Sequence, residues 1–271
     1  MESRYKFNYV LHGDRHQPLI LLLHGFMGDC RDFARAIPHL KGFCCLTVDL
    51  PGHGQTKNGD NIDDQMPQIA QALIDLLVEL QITRCIVVGY SMGGRIALYL
   101  AVYFPQYFYG AVLESASPGL ASESERDRRR QQDEQLAQQL ESGDLKDFIQ
   151  RWYANPLFAS FVQHPDAFQA IARRLDNDPK HLAKSLRNLG LGTQPSLWDS
   201  LSAIQIPLLL IVGELDRKFV QLNRAIADAC TQAELKVVLN SGHNVHFEQP
   251  IKFSQLLTGF SSRLPSIANT D

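Results

Sequence analysis

Three features of the sequence predict an α/β architecture, a mostly parallel sheet covered by helices. Short apolar runs alternate with longer segments of helical period. Each run closes on turn residues, and one long charged helical stretch interrupts the alternation without a strand of its own.

The elements follow in order. Residues 5–13 (YKFNYVLHG) alternate apolar and polar side chains, the pattern of an antiparallel edge. Runs at 18–25 (PLILLLHG), 43–52, 85–91, 110–116, 207–214 and 234–242 show little alternation, as expected of strands buried on both faces. Segments 68–80, 94–104 and 219–230 repeat apolar residues at three and four spacing and predict amphipathic helices. From 118 to 198 the chain is helical and charged. Such an insertion predicts a cap over the C-terminal ends of the strands, where open α/β sheets bind ligands. The expected domains are a core of residues 1–117 and 199–271 and an inserted helical cap of 118–198.

Composition narrows the function. With 271 residues, 45% of them apolar, the chain can bury a large core. A net charge of −3 argues against a nucleic-acid or anionic-membrane partner, both of which reward a basic face. Cys30, Cys44, Cys45, Cys85 and Cys230 form no C-x-x-C pair, and the opening MESRYKFNYV lacks the apolar core of a signal peptide. No apolar run approaches the roughly 20 residues that span a bilayer. The expectation is a reduced, cytoplasmic protein without membrane insertion. The scattered histidines offer no H-x-x-x-H helix, so no metal site is expected.

Gly89-Tyr90-Ser91-Met92-Gly93 fits the G-x-S-x-G nucleophile elbow, with a strand before it and a helix after it. A serine hydroxyl is inert near neutral pH until a base takes its proton, and that base needs an orienting carboxylate. The chain order serine, acid, histidine is met by Ser91, Asp216 in GELDRKF and His243 in NSGHNVHF. Glu214 is the rival acid and His246 the rival base; Glu214 sits closer to its strand end, and His246 falls in the following helix. Backbone N–H groups of Met92, after the nucleophile, and Phe26, in LLHGFMGD, occupy the two expected oxyanion-hole positions. His24 and His53 read as loop-holding residues, and Cys30 as packing.

The arginines suggest the ligand. Arg95 stands in the first turn of the elbow helix, where the helix dipole disfavours a cation and favours an anion. Arg126, Arg129 and Arg130 share a helical face in the cap, with Arg173 and Arg174 later. Each charge-assisted bond to a carboxylate is worth about 1.5–3 kcal/mol, so a few of them would hold a polyanion. The interleaved acids of ESERDRRRQQDE equally suit a solvated helix of internal ion pairs. Trp152, Tyr153 and Phe158 could line the apolar part of a pocket or pack the cap.

Taken together, LLHGFMGDCRDF, DLPGHGQT, GYSMGGRIAL, ESASPGL, RWYANPLF, LGTQPSLW, GELDRKF and GHNVHFEQP resemble the 2-succinyl-6-hydroxy-2,4-cyclohexadiene-1-carboxylate synthases of menaquinone and phylloquinone synthesis, over residues 21–250. The resemblance implies the α/β-hydrolase fold and a lyase reaction, proton abstraction followed by loss of pyruvate, with no cofactor. It implies Ser91 as base assisted by His243 and Asp216, and oxyanion donors at Phe26 and Met92. A small polycarboxylate substrate would be held by Arg95, Arg129 and one of Arg173 and Arg174, with Arg174 favoured, beside Trp152, Phe158 and Tyr90. A serine hydrolase acting on an ester or carbon–carbon bond of an acidic small molecule would need the same triad. A non-catalytic binding protein would not need one. Oligomeric state is not readable from the sequence.

Overall fold

The computed structural model describes residues 5–58 and 64–265. The outermost residues of the expected core domain, 1–4 and 266–271, therefore lie outside the described residues.

The chain begins with β1 (Tyr5–Lys6), β2 (Tyr9–His12), β3 (Leu19–Leu23), β4 (Cys44–Val48) and β5 (Lys57–Asn58). Helix α1 (Met66–Glu79), strand β6 (Cys85–Tyr90), helix α2 (Met92–Tyr103) and strand β7 (Phe108–Glu114) follow. Five helices come next without a strand: α3 (Glu123–Ser142), α4 (Leu145–Tyr153), α5 (Ala159–Gln163), α6 (Ala167–Ala172) and α7 (Pro179–Leu189). The chain then returns through β8 (Leu208–Gly213), α8 (Arg217–Ala229), β9 (Ala233–Val238), α9 (Val245–Glu248) and α10 (Pro250–Ser261).

Seven strands form one sheet in the order β2-β4-β3-β6-β7-β8-β9. Among the described residues only the β2–β4 pair of this sheet is antiparallel, which makes residues 9–12 the edge that their alternation predicts. β1 and β5 form a separate antiparallel pair. The expected strand at 43–52 ends at Val48. Beyond it Asp49 turns its carboxylate to loop donors, Cys30 N–H at 2.6 Å and Gln55 N–H at 2.8 Å.

Alternate residues of each central strand feed opposite faces, as a period of two requires. Leu21, Leu23, Val87, Leu208 and Leu210 pack with α1, α2 and Ile226 of α8. Ile20, Leu22, Ile86, Val88, Leu209 and Ile211 pack on the other side with Phe33 and with Phe253, Leu257 and Phe260 of α10.

The helical segment between β7 and β8 has its own small core: Ala137, Leu140, Phe148, Ile149, Leu182, Ala183 and Leu186. Met27, from the loop after β3, is buried in the same cluster and ties this segment to the sheet. Local capping sets the helix starts. Ser122 and Glu125 form a capping box on α3, and Asp178 accepts from the Lys180 and His181 N–H groups ahead of α7. Among the described residues no helix is long and apolar enough to cross a membrane.

Ile86→Ala, in the central strand, is expected to lower the unfolding free energy by about 2–5 kcal/mol. Val10, on the edge strand and 40% exposed, should tolerate threonine. That change should stay within about 0.5 kcal/mol. Urea denaturation midpoints check both.

Candidate active site

β6 ends at Tyr90, the chain turns at Ser91 with φ 51° and ψ −105°, and α2 starts at Met92. A left-handed non-glycine residue costs on the order of 1–3 kcal/mol and persists where its surroundings fix it. Here Ser91 N–H donates to the Glu114 carbonyl at 2.9 Å, and the Ser91 carbonyl accepts from Arg95 N–H at 3.1 Å. The turn is so close that a Cβ on Gly89 would strike the Gly93 backbone, and one on Gly93 would strike the Leu23 and His24 carbonyls.

The structure brings Ser91, His243 and Asp216 together. His243 Nε2 lies 3.2 Å from Ser91 Oγ, and His243 Nδ1 lies 2.7 Å from Asp216 Oδ2. A carboxylate facing Nδ1 holds the proton there and leaves Nε2 free to accept from the serine. Asp216 also accepts the Phe219 N–H at 3.2 Å, which fixes its orientation at the start of α8. Rings of Phe219, Tyr90 and Phe158 stand 4.7, 5.5 and 5.9 Å from the buried imidazole. Glu214 is exposed instead, and its carboxylate takes the Asn240 N–H.

Among the described residues neither the Phe26 N–H nor the Met92 N–H has a partner, and both residues border the cavity at Ser91. Met92 opens α2, and Ser91 contributes no side-chain cap, so the N-terminal donors of that helix are open to a ligand. The loop carrying Phe26 is pinned by His24, whose Nδ1 donates to Gly25 O at 2.7 Å while Nε2 accepts the Leu50 N–H at 2.9 Å. His53 donates from Nδ1 to Pro51 O at 3.1 Å, and burial holds its imidazole neutral, well below the usual histidine range.

A cavity of about 730 Å³ opens in front of Ser91. Phe26, Leu136, Phe148, Trp152, Phe158 and Phe219 make it largely apolar, while Arg95, Arg129, Arg151 and Lys218 make it cationic. Among the described residues the only acid on its wall, Asp216, is committed to His243. Among the described residues the Arg95 guanidinium has one hydrogen-bond partner, the neutral Gln194 Oε1 at 2.9 Å. Burial pushes its guanidinium down to about 10, and Arg129 nearby pushes the same way against the pull of Asp133, so it stays charged at neutral pH. Arg129 donates to the buried Asp133 at 2.8 Å. Arg126 and Arg130 are taken up by Glu123, Asp127 and the Leu120 and Gly192 carbonyls, away from the cavity.

The α/β hydrolase fold family matches residues 18–250 of the chain. The 2-succinyl-6-hydroxy-2,4-cyclohexadiene-1-carboxylate synthase of Citrobacter koseri is 35% identical over 241 residues, 88% of this chain and 91% of that protein. The chain belongs to this synthase family. The Escherichia coli O1:K1 synthase is 34% identical with 88% and 92% covered. The Arabidopsis thaliana chloroplastic protein PHYLLO is 33% identical over 90% of this chain and 15% of that much longer protein. MenH from S. aureus superposes with a TM-score of 0.87 at 32% identity, covering 96% of this chain and 98% of that one.

Two substrate contacts expected from the synthase resemblance are corrected by the structure. Arg174 is buried and absent from the cavity wall: its Nη1 donates to Asp32 at 2.6 Å and to Met27 O at 3.2 Å, and its Nε to Tyr153 Oη at 3.2 Å. A guanidinium surrounded by these acceptors is not available to a ligand. Tyr90 is also off the wall; its ring packs behind the site against His243 and His246.

Sequence reading missed Arg151, Lys218 and the pair Glu114–His246. Glu114, fully buried at the end of β7, accepts His246 N–H at 2.9 Å and His246 Nδ1 at 2.7 Å. The signal was present as a lone carboxylate ending an apolar run, GAVLE, and as a second histidine three residues after His243.

An unneutralised cationic cavity should be stabilised by a dianion, as any ligand of the native state stabilises it by mass action. Succinate at millimolar concentration is expected to raise the thermal midpoint of the wild type, and the shift should be clearly smaller in Arg95→Ala. Differential scanning fluorimetry checks this.

Proposed function

We propose that this synthase-family protein eliminates pyruvate from 2-succinyl-5-enolpyruvyl-6-hydroxy-3-cyclohexene-1-carboxylate to give 2-succinyl-6-hydroxy-2,4-cyclohexadiene-1-carboxylate, with Ser91 as the base. The observation that carries the reading is the coupling of one relay to one cavity. Ser91, His243 and Asp216 are aligned by hydrogen bonds, and Ser91 opens onto a wall with several cations whose only acid among the described residues is already paired.

The chemistry follows from the positions of the double bonds in substrate and product. His243 Nε2 takes the Ser91 proton, and Ser91 Oγ removes the hydrogen from the ring carbon that bears the succinyl group. The pair left behind forms a double bond to the neighbouring alkene carbon. The original alkene pair moves one bond along the ring and expels enolpyruvate by breaking its ring C–O bond. Enolpyruvate takes up a proton and becomes pyruvate. The succinyl carbonyl stabilises the developing carbanion as an enolate, and the Phe26 and Met92 N–H groups are the donors for its oxygen.

The substrate carries a ring carboxylate, a succinyl carboxylate and an enolpyruvyl carboxylate. Arg95 and Arg129 are the side chains proposed to hold two of them. With Arg174 bound to Asp32, Arg151 and Lys218 are the cations left on the wall for the third. Trp152 and Phe158 supply apolar surface for the ring.

A pyruvate-release assay with the enolpyruvyl substrate tests this, with the ring product identified by mass. The expected ring product is the conjugated diene, lighter by one water than the alcohol that enol-ether hydrolysis would leave; finding that alcohol would assign a hydrolase. Ser91→Ala and His243→Ala are each expected to lower kcat by about 10²–10⁴-fold. Arg95→Ala should lower kcat/KM by about tenfold or more, the equivalent of ~1.4 kcal/mol of lost transition-state binding.

A further inference from the structure

Arg174 and Asn177 follow α6 in the helical segment, yet both reach the loop after β3. Arg174 Nη1 and Asn177 Nδ2 donate to the same acceptor, Met27 O, at 3.2 and 3.0 Å. Arg174 is itself held by Asp32 at 2.6 Å, and Asn177 Oδ1 accepts the Gly54 N–H at 3.0 Å. Both side chains are buried. Their target is a residue that resists its own conformation. Met27 has φ 62° without being glycine, and its side chain is fully buried among helical-segment residues.

The neighbouring peptide explains why this position matters. Gly25 O accepts from His24 Nδ1 at 2.7 Å and from Gly28 N–H at 3.0 Å. In a trans peptide the C=O and N–H point in opposite directions, so fixing Gly25 O fixes the aim of the Phe26 N–H. Met27 has the positive φ that a type II turn places at its third residue, and its C=O shares one peptide with the Gly28 N–H, so holding Met27 O holds that N–H on Gly25 O.

We propose that Arg174 and Asn177 are positioning residues: by holding the Met27 carbonyl, they keep the Phe26 N–H aimed at the oxyanion site and make that site depend on the seated helical segment. This rests on the proposed role of the Phe26 N–H. It replaces the substrate contact expected of Arg174 with a contact to the backbone that contacts substrate.

The test compares Arg174→Met, Arg174→Lys and Asn177→Ala with the wild type. It combines steady-state kinetics on the enolpyruvyl substrate with the Phe26 amide resonance in protein labelled with nitrogen-15 phenylalanine. Positioning predicts that Arg174→Met and Asn177→Ala lower kcat by about ten- to a hundredfold, because a misaimed donor costs rate and not affinity, while KM changes by less than about threefold. The Phe26 resonance should move in both, and Arg174→Lys should recover much of the loss. A tenfold rise in KM with kcat unchanged in Arg174→Met would make Arg174 a carboxylate ligand and overturn the proposal. Wild-type kcat with an unmoved Phe26 resonance in Asn177→Ala would overturn it as well. Should Arg174→Met fail to fold, the milder Asn177→Ala decides the matter alone. A wild type that releases no pyruvate defeats the proposed reaction and not the positioning, which the Phe26 resonance reads independently.

Discussion

The buried carboxylate of Glu114 and the carbonyl of the same residue join the two halves of the relay. The carbonyl receives the Ser91 N–H at 2.9 Å, and the carboxylate receives two bonds from His246, three residues past His243. A carboxyl group taken fully out of water is tolerated only with such partners. The 3.2 Å between Ser91 Oγ and His243 Nε2 therefore depends on the end of β7, which touches neither atom. Removing one partner would leave the other polar group buried and unsatisfied, so the pair acts as a single constraint on the elbow and the histidine loop. The stacking of Phe33 on His246, at 4.2 Å between ring centres, ties the same pair to the core cluster that holds Phe33, Tyr90 and Phe253.

The electrostatics of the cavity follow a related logic. Arg95 lies near the positive end of α2, and burial and Arg129 both disfavour its charge. Among the described residues the acid on the wall, Asp216, is bonded to His243, and Asp133, whose charge favours that of Arg95, is bonded to Arg129. A bound carboxylate would relieve the helix start, the guanidinium and the repulsion between the two arginines together. Holding these cations in place has a cost, and the rigid core beneath them bears it: Ile96, Ala97 and Leu98 of α2 are fully buried against the sheet.

The sheet and the elbow were legible because their signals are local. Strand runs, helical periods and G-x-S-x-G all lie within a few residues of one another, and steric closeness at Gly89 and Gly93 ties the motif to one backbone path. The order of Ser91, Asp216 and His243 was legible through strand-end placement. Arg174 shows where such reading fails. Its partners Asp32 and Met27 lie 142 and 147 residues away, and no spacing rule says that the helical segment would fold a guanidinium onto the loop after β3. Arg126 and Arg130 differ from Arg129 for a smaller reason: their turn of α3 faces Glu123 and the Gly192 carbonyl, while Arg129 lies one position round the helix, on the cavity side. Lys218 and Arg151 sat inside motifs quoted for other residues, and only three-dimensional placement shows them sharing a wall.

One relay of this kind can serve as nucleophile or as base, and the choice is one of placement. If the two N–H groups hold a carbonyl oxygen, the carbon bonded to it and the carbon beyond it differ in distance from Ser91 Oγ by at most one C–C bond, ~1.5 Å. Attack on the first gives acyl chemistry; removing a proton from the second gives the proposed elimination. A misplacement of about 1 Å can cost a hundredfold in rate, so whatever fixes the far ends of the substrate also selects the reaction. In the proposed substrate those ends are carboxylates, and the groups proposed to fix them are cations. Under the proposed reaction, the arginines that make the pocket selective for a polyanion are also what keeps Ser91 facing a C–H bond instead of a carbonyl carbon.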